Sequence, residues 1–194
     1  MKEELKNKCK DLLKKVHLQK IGQEQMVADL NRDCTAEQKK ILICYLDYLR
    51  TIRELNRNFG HTNRQEMMQI LKVCIELNLR IDVCACYDRN AIEEIRENYY
   101  DYILGFGDTF FCAKEKNPDA AAILYTTENP YRISYERETE RLRYFTERTG
   151  RTFHLERTGV YYKKDDEKKA DRIICLGEPS YFADTGKPVD RVWP

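Results

Sequence analysis

The chain has 194 residues, enough for one α/β domain with its own hydrophobic core and a small appendage. Its 34 Lys and Arg nearly cancel its 33 Asp and Glu, so the net charge of +1 gives no basic surface for nucleic acid. The apolar runs, such as 41–46, are far shorter than the roughly 20 residues that span a bilayer. The N-terminus is rich in Lys and Glu and lacks the apolar stretch of a signal peptide. We therefore expect a soluble, cytoplasmic protein.

Eight cysteines raise the question of a metal site or disulfides. Five of them lie in apolar strand-like or helical stretches: Cys44, Cys74, Cys84, Cys86 and Cys175. The close pair at 84 and 86 is separated by one residue, whereas zinc-binding pairs are separated by two or more. The pattern predicts buried free thiols and no metal site.

Residues 1–38 are predicted to form a helical appendage. Five apolar residues recur at the spacing of one helical face: Leu5, Cys9, Leu12, Leu13 and Val16. Lysines occupy the opposite face, and a shorter helix is predicted over 23–30. Packing of this amphipathic helix on its own domain or on a partner is the favoured interpretation. Docking on an anionic membrane surface, peripheral to the inner face, is the alternative.

From residue 40 onward, short apolar runs alternate with helical stripes. Strands are predicted at 41–46, 81–87, 100–104, 120–126, 172–176 and 188–193. Helices are predicted at 63–78, 91–98, 108–116 and 134–149, with a further short helix near Ser180. This alternation predicts an α/β fold over 39–194, a Rossmann-like, mostly parallel sheet with flanking helices. The chain ends on a predicted strand without a covering helix, from which we expect a second domain.

Ligands of such sheets bind beyond the carboxyl ends of the strands. The loop after the first strand carries Gly60, His61, Thr62 and Asn63, at the start of a helix. Thr62 or Asn63 can cap that helix, whose free N–H groups suit a phosphate or carboxylate. His61 is the candidate catalytic residue, as a donor or base; the alternative is an exposed histidine beside a capped helix.

Later loops add further candidates. Gly105-Phe-Gly107 lacks the third glycine of a dinucleotide fingerprint, so it is predicted to make a tight turn that lines the crevice. Thr127, Glu128 and Asn129 offer hydroxyl, carboxylate and amide groups suited to sugar hydroxyls, with a simple turn as the alternative.

The loop after the fifth strand contributes Gly177 and Glu178, where Glu178 contacts ligand or complements a helix dipole. The Arg-rich stretch 132–157 is matched by acids and is predicted to be a solvated ion-pair face. Arg151 and Arg157 are the exceptions, as candidate phosphate contacts.

Five segments occur in the order found in N-terminal domains of bacterial GT-B glycosyltransferases of family 4, the group 1 type, which the chain resembles over roughly residues 40–194. The segments are the first predicted strand, Ile41–Leu46, followed by His61-Thr-Asn-x-x-Glu66, Tyr100-Asp-Tyr-Ile-Leu-Gly-Phe-Gly107, Leu124-Tyr-Thr-Thr-Glu-Asn-Pro130 and Ala170-Asp-Arg-Ile-Ile-Cys-Leu-Gly177.

This resemblance implies an acceptor-binding lobe that takes part in transfer of a sugar from a nucleotide-sugar donor, for glycan biosynthesis. The UDP- or GDP-sugar is expected to bind only with the C-terminal lobe, so the 194 residues alone are expected to be inactive and to hold no cofactor tightly. The implied partners are a glycan or lipid-linked sugar acceptor and the donor lobe or a partner chain. Two alternatives remain: a stand-alone Rossmann-like module that works with a partner chain, and a small nucleotide-binding enzyme.

Overall fold

The computed structural model describes residues 26–31, 35–46, 62–155 and 163–192. Six strands form one sheet: β1 (Lys40–Tyr45), β2 (Arg80–Ala85), β3 (Tyr102–Gly105), β4 (Ala121–Thr126), β5 (Arg172–Cys175) and β6 (Val189–Arg191). Four α-helices connect them: α1 (Thr62–Glu76), α2 (Arg89–Glu97), α3 (Gly107–Lys116) and α4 (Tyr131–Thr149). Two 3-10 helices, Asp166–Lys169 and Pro179–Thr185, flank β5.

The sheet confirms the predicted α/β, Rossmann-like architecture. Its strand order is β2-β1-β3-β4-β5-β6, and all five pairings between these strands are parallel. This is the flavodoxin-like order of doubly wound sheets rather than the dinucleotide-binding order 3-2-1-4-5-6. Strand order is set by long-range pairing, which the local hydrophobic pattern does not encode.

The core lies on both faces of the central strands. Leu42, Ile43 and Cys44 of β1 are fully buried because β1 has a strand on each side and helices above and below. Burial of each large aliphatic side chain contributes roughly 1.5–3 kcal/mol. The continuous apolar run of β1 is therefore the sequence signature of a strand buried on both faces.

The helices divide between the two faces. The connection from β1 to β2 through α1 runs in the opposite direction across the sheet from the connections through α2 and α3. Right-handed crossovers then place α1 on one face and the mutually packed α2 and α3 on the other. The long helix α4 begins at Tyr131, three residues before its predicted start, and buries none of its residues.

Residues 26–31 follow the outer edge of β2. Val27 exchanges both backbone hydrogen bonds with Val83, at 2.8 and 2.9 Å, in an isolated antiparallel bridge. The prediction of a helix over 23–30 is wrong for its described part, since 26–30 is not helical. Sheet pairing overrides the local preference there, so part of the region assigned to the appendage completes the sheet edge. The helix predicted around 5–16 lies outside the described residues.

A buried polar network holds this edge. Asp82 on β2 is fully buried and accepts hydrogen bonds from the Asp29 N–H at 2.9 Å and the Tyr100 hydroxyl at 3.0 Å. The Lys40 Nζ lies 2.7 Å from the same carboxylate. Burial, followed by the charge of Asp82, raises the pKa of Tyr100, so its hydroxyl remains a donor. The network satisfies a charge that would otherwise be costly to bury.

Candidate functional site

The change of winding direction in the sheet lies between β1 and β3. Helix α1 follows β1 on one face and α3 follows β3 on the other, so the connections diverge at the carboxyl ends of these neighbours. Doubly wound sheets bind ligands in the crevice at this point. The candidate site is therefore centred on Tyr45, which ends β1, and Gly105, which ends β3.

Gly105 and Gly107 allow the turn from β3 into α3 to pack tightly. A Cβ at Gly105, whose φ is +129°, would lie 1.8 Å from the Cys44 carbonyl oxygen. A Cβ at Gly107, whose φ is +84°, would lie 2.4 Å from the Cys86 carbonyl oxygen. Both positions require glycine for conformation and for space. The predicted tight turn is confirmed, and its role is to bring the start of α3 against the neighbouring strands.

A carboxylate and two tyrosines meet on the α1 side of the crevice. The Tyr45 hydroxyl donates a hydrogen bond to the Glu66 Oε2. The Tyr45 ring centroid lies 6.0 Å from that of Tyr125, at the end of β4, and 5.5 Å from that of Phe106, edge to face. The three rings are buried and Glu66 is half-buried, so an aromatic wall surrounds one carboxylate.

Both tyrosines are neutral hydrogen-bond donors at physiological pH. Burial, and then the Glu66 carboxylate, raise the pKa of Tyr125 to about 12. The same two causes raise the pKa of Tyr45 further. A carboxylate has about four acceptor positions, so Glu66 has capacity for a ligand hydroxyl beyond the Tyr45 bond.

Sequence reasoning named Glu66 only as part of a motif and missed both tyrosines. The available signal was strand alternation combined with register. Leu104 pairs with Ile43 and Ile123, so Tyr45 and Tyr125, each two residues further along its strand, face the same side of the sheet. That step needs the strand order, which the sequence did not provide.

Helix α1 begins at Thr62, within one residue of its predicted start. Because Glu66, one turn into α1, bonds the last residue of β1, the start of the helix lies at the carboxyl edge of the sheet. Thr62 is exposed, and its hydroxyl lies 3.5 Å from the half-buried Asn63 Oδ1. Gly60, His61 and Arg157 lie outside the described residues.

The loop after β4 combines a structural turn with a neighbour contact. The buried Thr126 Oγ1 accepts a hydrogen bond from the Glu128 N–H at 3.2 Å, and this bond shapes the turn. Thr127 and Glu128 are exposed. A Cβ at Gly177 would lie 3.7 Å from the Asn129 Oδ1, so the loops after β4 and β5 lie close together.

Glu178 caps the second 3-10 helix. Its side chain accepts a hydrogen bond from the Ser180 N–H at 3.3 Å. This geometry matches the structural alternative for Glu178, which is the complement to a helix N-terminus. Arg151, just after α4, is exposed.

The buried cysteines are structural in character. Burial raises the pKa of Cys74 to about 11, and burial followed by the neighbouring Cys84 raises that of Cys86 to about 12. The Cys44 and Cys84 sulfurs lie 3.6 Å apart on adjacent strands. Within the four described ranges, no group of three or more His, Cys, Asp or Glu residues is arranged to hold a metal ion.

Comparison with known proteins gives no relative. No protein-family model, curated protein or solved structure matches the chain. Among the helices of the described residues, none combines the length and apolarity needed to cross a membrane.

Proposed function

We propose that this chain is the acceptor-side lobe of a GT-B glycosyltransferase, and that Glu66 binds a hydroxyl group of the acceptor sugar. The observation that carries the proposal is the half-buried Glu66 carboxylate. It accepts a hydrogen bond from Tyr45 and lies near Tyr125, at the point between β1 and β3 where the winding direction of the sheet changes. Ligand sites combine apolar and aromatic walls with a few fixed polar groups, and this crevice has that composition.

The chemistry of the crevice suits a sugar. Sugar hydroxyls both donate and accept hydrogen bonds, and the Glu66 carboxylate supplies an acceptor for one of them. The buried rings of Tyr45, Phe106 and Tyr125 pack behind the Glu66 carboxylate and fix its position for this contact. In transfer, the acceptor hydroxyl oxygen forms a bond to the anomeric carbon of the donor sugar while the bond from that carbon to the diphosphate oxygen breaks. The hydroxyl proton passes to the departing nucleoside diphosphate, which stays on the donor lobe. Glu66 orients that hydroxyl for attack.

The proposal is tested by titrating the 15N-labelled chain with mono- and disaccharides and, separately, with UDP, GDP and UDP-glucose. Sugars are expected to shift amide resonances at the ends of β1, β3 and β4 at millimolar concentration, while the nucleotides bind no more tightly than about millimolar. Sugar-induced shifts elsewhere, or none with any sugar, would contradict the assignment.

The substitution Glu66→Gln keeps the size and the hydrogen bond from Tyr45 but removes the charge. We expect it to weaken sugar binding about tenfold, because hydrogen bonds to charged groups contribute roughly 1.5–3 kcal/mol. Glu140→Gln, on exposed α4, is the matched control and should bind like the wild-type chain. Equal sugar affinities for the wild-type chain and both variants would show that Glu66 does not bind the sugar.

The strand order favours one second candidate, a complete small nucleotide-binding protein. Flavodoxin-like sheets bind FMN at the β1/β3 switch point, which is where the aromatic crevice lies. Micromolar binding of FMN, UDP or GDP by these residues alone would support this candidate. It would also overturn the proposal that the chain is the acceptor-side lobe of a glycosyltransferase. A module that works with a partner chain would share the weak nucleotide binding of the acceptor lobe.

A further inference from the structure

The α1 face of the sheet is only partly covered by the described residues. Helix α1 packs against β2, whereas α2 and α3 lie on the opposite face. Register and alternation place Tyr102, Leu104, Ile123 and Ile174 on the α1 face of β3, β4 and β5. These side chains form an apolar surface beside the C-terminal half of α1.

A cavity of about 840 Å³ occupies this position. Its walls include Val73, Leu77, Tyr102, Leu104, Ile123 and Ile174. Val73, near the end of α1, and Leu77, just after it, lie one turn apart beside this cavity and are 51% and 64% exposed. Parallel sheets are normally buried on both faces, and contiguous exposed apolar patches mark interaction sites. The surface therefore calls for an apolar cover.

We propose that residues 1–25 of the same chain are that cover, docking their apolar side into the groove beside α1. The sequence of this segment has the matching character, since Leu5, Cys9, Leu12, Leu13 and Val16 recur at the spacing of one helical face. The positions between them are polar, mostly lysines, and would remain in solvent. A one-sided apolar segment fits a groove that is open on one side.

The attachment point and the length of the segment also fit. Val27 is bonded to Val83 at the edge of β2, so residues 1–25 start from the sheet itself. Residues 17–25 can extend over about 30 Å, enough to pass across α1 from that edge. The groove crosses β1, β3, β4 and β5, about 14 Å at the usual strand spacing. The apolar repeat 5–16 would span about 18 Å if helical, which matches the groove.

Local tethering favours this occupant over others. A segment joined to the edge of the sheet has a high effective concentration at a groove within its reach. A second copy of the chain or an anionic membrane would have to bind without that advantage. Both are distinguishable outcomes of the test.

The test places the photo-crosslinking residue benzoylphenylalanine at Leu12 of the full chain, with Lys14 as the matched position on the opposite face of the repeat. Mass spectrometry of the monomer is expected to map Leu12 crosslinks to Val73, Leu77 or Ile123, with at least about fivefold lower yield from Lys14. Crosslinks that join two chains would assign the groove to a second copy. Crosslinks elsewhere, or equal yields from both positions, would overturn the proposal.

A second measurement does not depend on crosslinking geometry. The double substitution Leu12→Asp and Leu13→Asp is expected to accelerate amide hydrogen exchange in β3 and β4 about tenfold, because the cover leaves the groove. The control Lys14→Asp with Lys15→Asp should leave exchange unchanged. Unchanged exchange in the leucine variant, or cosedimentation of the wild-type chain with phosphatidylserine vesicles that protects Leu12 from crosslinking, would overturn the proposal.

Discussion

At the scale of single residues, the conformation of Gly105 shows how little freedom the crevice allows. The glycine lies where β3 turns into α3, with its α-carbon against the Cys44 carbonyl group. Residues other than glycine can adopt its φ of +129° only with considerable backbone strain. The turn sets the position of Phe106, whose ring packs on Tyr45 beside Glu66.

We predict that Gly105→Ala lowers the free energy of unfolding by more than about 3 kcal/mol or prevents folding, since a Cβ would overlap backbone atoms. Gly150→Ala is the matched control: its φ is +66°, but no atom lies within 4 Å of the added Cβ. It should cost only about 1–2 kcal/mol. Unfolding in guanidinium chloride measures the free energy of unfolding of both variants. An equal loss in the two would show that the backbone around residue 105 shifts to make room for the added Cβ.

Glu167 gives a prediction that depends on pH. The side chain is 4% exposed, and its Oε2 has no hydrogen-bond partner. Burial, and then the neighbouring Asp165 and Asp184, raise the pKa of this carboxyl. An acid whose pKa is raised by folding contributes stability below its unfolded pKa and loses it as the pH rises through the folded pKa.

We therefore expect Glu167→Gln to stabilise the fold by about 1 kcal/mol at pH 7, because burial in the wild-type protein disfavours the charged form of this carboxyl. The gain should shrink toward pH 4, where the carboxyl holds its proton. Thermal unfolding across this range is the measurement, with exposed Glu140→Gln as the control. A gain that is constant with pH would mean that ionisation of Glu167 is not its origin.

At the scale of elements, the edge segment 26–31 and the strand β2 depend on one buried carboxylate. Asp82 joins the Asp29 backbone, Tyr100 at the entry to β3, and Lys40 at the start of β1. Three separate stretches of chain are thus held by one side chain. The sequence shows Asp82 only as a polar residue in an apolar strand, because its partners come from distant positions.

We predict that Asp82→Asn lowers the free energy of unfolding by about 3–5 kcal/mol, because it leaves the largely buried Lys40 without its counter-charge. Hydrogen exchange at Val27 and Leu30 should also become faster, since their N–H groups pair with β2. The exposed pair Arg172 and Asp190 supplies the control, because Asp190→Asn should leave unfolding unchanged. Unchanged hydrogen exchange at Val27 would show that the edge segment 26–31 is held in place independently of Asp82.

At the scale of the whole molecule, the sequence was a good guide to the elements and a poor guide to their arrangement. From residue 40 onward, alternation of apolar runs and helical stripes located the α-helices and strands of the described residues within a few residues, whereas the helix predicted over 23–30 is wrong for its described part. Two features escaped it for the same reason: the position of β1 between β2 and β3, and the meeting of Tyr45, Glu66 and Tyr125. Both depend on contacts between distant parts of the chain, which local periodicity does not report.

The distribution of thiols gives a prediction at this scale. Of the six cysteines in the described residues, five are buried and Cys112 is half-buried. Thiolates are the reactive species, and burial raises the pKa of Cys74, Cys86 and Cys175. Among these six, we expect only Cys112 to react readily with Ellman's reagent in the native protein, and all eight cysteines of the chain to react in guanidinium chloride. Peptide mapping identifies the sites. Rapid native labelling of Cys86 would indicate that the sheet opens.

The central place of β1 also governs the order in which the chain can fold during synthesis. Ile41 pairs with Ile81 on one side and Tyr102 on the other, so both partners of the first strand leave the ribosome after it. At 5–20 residues per second, about 3–12 s separate Ile41 from Tyr102. For that time the apolar run of β1 is an unpaired strand, the kind of segment through which nascent chains associate. Lys39 and Lys40 directly precede the run, and their charge opposes such association until the sheet closes around it.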